Sequence, residues 1–83
     1  MEPVGTHRVQ LLSKPQCHLC DEARSVVSAV CDELGIGWDE RSIMDDPALY
    51  DEYWERIPVV LVDERISQFW RVNPELLRGA LSV

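Results

Sequence analysis

Cys17 and Cys20 stand three apart, with only His18 and Leu19 between them. Two thiols at this spacing can form a redox pair, supply half of a metal site, or do neither. Their surroundings favour the first. Arg8 to Leu12 alternates in part and is bounded by Ser13 and Pro15, which reads as a strand. After Lys14-Pro15-Gln16-Cys17, a loop, the apolar residues Ala23, Val26, Val27, Val30, Cys31 and Leu34 follow at helical spacing. The pair therefore falls where a strand gives way to a helix. Cys17 is then at a helix N-terminus, where free N–H groups and the helix dipole lower a thiol pKa and favour the thiolate. A thiolate attacks a disulfide, and Cys20, one turn later on the same side, can displace the mixed disulfide. Zinc needs four ligands, and only His7, His18 and Cys31 remain to complete a set. His18 lies inside the pair and cannot easily join it at one metal. No metal is expected.

The elements that position the pair follow from pattern. Asp21 and Glu22 suit the first turn of the helix, and Gly35 ends it. Ile36 to Ile43 reads as a second, weaker strand. Asp46-Pro47 has the form of an N-cap followed by proline at the first helical position, and opens a short helix to about Tyr53. Ile57 to Val62 is an apolar, β-branched run that reads as a buried strand. Asp63-Glu64-Arg65 turns the chain, and Ile66 to Trp70 returns antiparallel. Asn73-Pro74 opens a last helix through Leu76, Leu77 and Leu81. Residues 1–6 read as a loose lead. The order is β-α-β-α-β-β-α, an α/β layer around a four-stranded mixed sheet with about three helices.

At 83 residues the chain has room for one domain, residues 1–83, and none for a large cleft. Eight Lys and Arg against fifteen Asp and Glu give a net charge of −7. That charge repels nucleic acid and anionic membrane, so neither is an expected partner. The start has neither the basic nor the apolar region of a signal peptide. The longest aliphatic run, Val59 to Val62, is far too short for a membrane span. A cytoplasmic monomer is expected. Three cysteines, an odd count in a reducing compartment, argue against a structural disulfide framework.

Ser13-Lys14-Pro15-Gln16-Cys17-His18-Leu19-Cys20 resembles the active-site segment of glutaredoxins, and Ile57-Pro58-Val59 resembles their second motif. The likeness is closest to small bacterial glutaredoxin-like proteins, in which a C-x-L-C is followed by an acidic residue and alanine, here Cys20-Asp21-Glu22-Ala23. The resemblance extends over nearly the whole chain. It implies a thioredoxin/glutaredoxin-like fold and a thiol–disulfide oxidoreductase, with Cys17 as nucleophile and Cys20 as resolving thiol. Lys14 matches the lysine that reaches a glutathione carboxylate. Pro58 matches a cis-proline facing the site, and Ile57 before it can offer its N–H and C=O to an extended substrate. No bound cofactor is implied. Partners would be a disulfide-containing protein or glutathione, with electrons drawn from glutathione or a reductase.

Two stretches depart from that pattern. Glutaredoxins usually carry a glycine pair before the last helix, where glutathione is held; this chain has Phe69-Trp70-Arg71-Val72-Asn73. His18 replaces the proline that often follows the nucleophile. A cationic His18 would favour the Cys17 thiolate and make the disulfide more oxidising; a solvated one would do little. Asp32 to Glu55 holds nine acids and one base, Arg41. This is either a solvated face or a docking patch, and the alternative function is accordingly a non-catalytic binding module with an acidic face, or a metal-holding variant. Tyr50, Tyr53 and Trp54 are expected to pack on the sheet, most other aromatics to be at least half-buried, and Cys31 to fill core.

Overall fold

The computed structural model describes residues 7–82. The lead over residues 1–6 lies outside them. Strand β1 (Val9–Ser13) runs into α1 (His18–Leu34), then β2 (Trp38–Ser42), a 3-10 turn (Ile43–Asp45), α2 (Pro47–Tyr53), β3 (Val59–Val62), β4 (Arg65–Phe69) and α3 (Pro74–Leu81). The sheet order is β2-β1-β3-β4; β1 and β2 are parallel and the other pairs antiparallel. The expected order and architecture are those observed.

Alternation along the central strands divides the core. Val9, Leu11 and Val60 face α1 and α3, where they meet Val27, Val30, Cys31, Leu77 and Leu81. Leu12, Val59 and Leu61 face the other way and pack with Ile43, Ile57 and Cys20, partly covered by Leu49 and Tyr53 of α2. Full burial of one such aliphatic side chain stabilises the fold by roughly 1.5–3 kcal/mol.

The element ends have local causes. Gly35 has φ 70 and ends α1; its N–H bonds the Asp32 carbonyl, and the Ile36 N–H bonds that of Cys31. This double closure takes Ile36 into the core, so β2 starts later than the sequence pattern implies. Ser42 caps the 3-10 turn through the Met44 N–H, which removes Ile43 from the strand. Asp46 and Asn73 cap α2 and α3 through their side chains, each with proline following. Asp63 and Glu64, at φ 53 and 67, form the two-residue hairpin between β3 and β4.

The expectation that Tyr50, Tyr53 and Trp54 pack on the sheet holds for Tyr53 and is corrected for the other two. α2 has seven residues and none is buried. Leu49 and Tyr53, four apart, take the sheet-facing side. Tyr50 and Trp54 lie about 100° round the helix, exposed and stacked on each other. Phe69 and Trp70 are exposed as well. Cys31 is fully buried, as expected.

Candidate functional site

Helix α1 begins at His18, which makes Cys17 its N-cap and puts it at the helix N-terminus, as the sequence implies. The Cys20 N–H donates to the Cys17 sulfur at 3.1 Å. The two cysteines are joined in a disulfide, with their Cα atoms 5.1 Å apart. They are unequal: Cys17 is half-buried, while Cys20 is 1% exposed and sealed among Leu12, Ile57 and Val59. Of the two, only Cys17 is partly open to solvent.

The Ile57–Pro58 peptide bond is cis, and both residues are buried. Ile57 packs in the same cluster as the two cysteines. Its N–H and C=O bond no other backbone group among the described residues. The Pro58 carbonyl is taken by the Trp70 N–H at 2.8 Å. Lys14 lies on the exposed loop before the pair and has no ion-pair partner among the described residues. The His18 ring is 91% exposed, with Nε2 3.8 Å from a Glu22 carboxylate oxygen. Cys17, Cys20 and Ile57 are thus in one packed cluster, with Pro58 next in chain; Lys14 and His18 border it from solvent.

A charged network stands behind the loop. Ser13, buried at the end of β1, donates to Glu40 at 2.6 Å. Arg24 of α1 donates to both Glu40 oxygens, at 2.7 and 2.8 Å, and to Asp21 at 2.8 Å. The Arg24 guanidinium, helped by the Ser13 hydroxyl, holds the Glu40 carboxyl below its ordinary range against the opposing effect of its partial burial. The network ties both ends of the Cys17 loop to β2. Sequence spacing alone did not find it, because its members are 11 and 16 residues apart. Glu33 is likewise engaged by Arg78, so part of the acidic middle has structural partners.

Beside the pair runs an apolar groove lined by Leu19, Ile57, Phe69, Trp70 and Arg71. Leu19, Trp70 and Arg71 also line a second hollow, between α1 and the start of α3. Trp70 has φ 65, a left-handed backbone that costs a non-glycine residue roughly 1–2 kcal/mol. Its indole N–H donates to the Glu55 carbonyl at 2.9 Å, and Phe69 meets it edge-on at 5.1 Å.

Among the described residues no three His, Cys, Asp or Glu side chains are grouped to hold a metal ion, and no helix is long and apolar enough to cross a membrane.

A model of the Glutaredoxin-like domain matches residues 8–82. An uncharacterized protein of Mycobacterium tuberculosis is 30% identical over 80 residues, covering 90% of this chain and 82% of that protein. A structural-genomics target protein from X. campestris superposes with a TM-score of 0.73 at 27% identity, over 88% of this chain and 93% of that one. Fasciola hepatica thioredoxin superposes with a TM-score of 0.64 at 17% identity, over 93% of this chain and 79% of that one, a likeness of fold alone.

Proposed function

This chain belongs to the glutaredoxin-like domain family and has a thioredoxin-like fold, and from that premise we propose that it is a thiol–disulfide oxidoreductase working through Cys17 and Cys20. The observation that carries the reading is the inequality of the two sulfurs. One is accessible, at a helix N-cap, and accepts a backbone N–H; the other is sealed directly behind it.

In the oxidised form, a thiolate of a dithiol substrate attacks the Cys17 sulfur. The Cys17–Cys20 bond breaks, and Cys20 departs as a thiolate. The second substrate thiolate then attacks the substrate sulfur of the mixed disulfide and releases Cys17. Two electrons pass to the pair, and the substrate leaves as a disulfide. Substrate reduction is the reverse: the Cys17 thiolate attacks, a mixed disulfide forms, and Cys20 resolves it. Glutathione or a protein dithiol then restores the reduced pair. The helix N-terminus and the Cys20 N–H stabilise the Cys17 thiolate in either direction. Ile57 offers its backbone groups to an extended substrate, Pro58 shapes the wall behind it, and Lys14 supplies a cation for a substrate carboxylate. His18, turned to solvent beside Glu22, contributes little.

The test is equilibration in buffers of reduced and oxidised glutathione, followed by intact mass and by disulfide turnover. A reversible change of two hydrogens is expected in the wild type, and a trapped adduct on Cys17 in Cys20→Ser. Full turnover by Cys17→Ser would sink the mechanism. A pair that neither oxidises nor takes an adduct would favour a binding module.

A further inference from the structure

Four described residues other than glycine have positive φ: Gln16, Asp63, Glu64 and Trp70. Gln16 leads into Cys17, and Asp63 and Glu64 make the hairpin. Trp70 makes no hairpin, is the bulkiest of the four, and is still 54% exposed. Backbone geometry alone would place glycine at such a position. Instead the fold holds a tryptophan there at both ends, the main chain by the Pro58 carbonyl and the indole by the Glu55 carbonyl. Trp70 lines the groove together with Ile57, packed with the cysteines, and Leu19, inside the Cys17–Cys20 segment. Next to Trp70 is Arg71, an exposed cation without an ion-pair partner among the described residues, in a chain of net charge −7.

We propose that Trp70 and Arg71 select the substrate: a protein segment in extended form, with a bulky apolar residue next to its reacting cysteine and an acidic residue nearby. This deepens the exchange reading and rests on it. The apolar neighbour lies on the Trp70 ring and against Leu19 and Ile57, and the acid pairs with Arg71. A tripeptide such as glutathione has no apolar side chain beside its cysteine and leaves this surface wet. A rigid aromatic wall binds without loss of side-chain freedom, which is the economical way to recognise an apolar residue.

The experiment uses full-length Cys20→Ser protein and three probes, each a mixed disulfide with thionitrobenzoate: the peptides Phe-Cys-Asp and Gly-Cys-Asp with blocked ends, and glutathione. The Cys17 thiolate attacks the probe's cysteine sulfur, and the low-pKa thionitrobenzoate leaves as a coloured thiolate. The Phe peptide is expected to react about tenfold faster than either other probe. Trp70→Gly, free of strain at this φ, should bring the Phe-to-Gly ratio near one. Arg71→Ala, tested also with Phe-Cys-Asn as a fourth probe, should cut the preference for Asp over Asn by about threefold. Trp54→Ala, at an equally exposed tryptophan that forms the C-cap of α2, should keep every ratio. Fast reaction with all probes at equal rates overturns the proposal while leaving the exchange reading intact. Reaction no faster than that of free cysteine overturns both. A dimer in gel filtration that Trp70→Gly dissolves also overturns it, by assigning the platform to a second copy.

Discussion

The two faces of the sheet are made by the same strands and do different work. On one, Val9, Leu11 and Val60 are closed over by two helices, and the residues meeting there are almost wholly excluded from water. On the other, Leu12, Val59 and Leu61 meet a smaller set, Ile43, Ile57 and Cys20, partly covered by the short α2, and the cluster ends at the half-buried Cys17. The exposed, strained Trp70 lies just outside this second face. Reactivity is placed where packing thins, and most apolar burial is placed where nothing reacts. Stability and chemistry should therefore be separable by mutation.

Cys17→Ser gives the largest expected effect. Disulfide exchange should fall at least about a thousandfold, while the melting temperature stays within about 5 °C of the reduced wild type. Thermal unfolding run beside the turnover assay checks both. A collapse of stability would erase the separation.

Leu77→Ala probes the sealed face. Leu77 is fully buried, and the substitution should cost about 2–5 kcal/mol, lowering the melting temperature by about 10–20 °C or more. Exchange measured well below the transition should stay within about twofold. A rate that falls while the protein is still folded would show that the sealed face also tunes the site.

Glu40→Gln is expected to cost about 1–2 kcal/mol near neutral pH, discounted for the partial exposure of its Arg24 partner. The sign of the pH dependence follows from the depressed Glu40 carboxyl. Its stabilisation is complete above the unfolded value of about 4.3 and is lost as pH falls through the lower folded value. The two proteins should therefore converge in urea titrations at low pH. A constant gap would mean that the fit of the amide in the network, not the charge, accounts for the loss.

Trp54→Ala should be the smallest, within about 0.5 kcal/mol by the same titration and without effect on exchange. A larger loss would show that the Tyr50–Trp54 stack supports α2.

Much of this was legible in the sequence because it rests on local chemistry. The apolar stripe of α1, the Asp46-Pro47 and Asn73-Pro74 starts and the Gly35 stop each report on a few neighbouring residues. So does the Cys17–Cys20 spacing, which the structure joins. Tyr50 and Trp54 misled because helical spacing tells which residues share a side, not which side meets the sheet; Leu49 and Tyr53 hold that place. The Ser13–Glu40–Arg24 network and the left-handed Trp70 had no signal at all. One depends on which strands become neighbours, and the other on contacts that outweigh a local backbone preference.

Cys31 makes the chain its own monitor of opening. With the pair oxidised it is the one free thiol, it is wholly sealed beneath α1, and burial pushes its pKa up. A water-soluble thiol reagent can reach it only in the fraction of molecules whose helix has come away from the sheet. When reclosing outpaces labelling, the rate divided by that of the unfolded chain is the open fraction itself. The native protein thus carries a probe on its sealed face that reads local loosening without denaturant, dye or engineered residue.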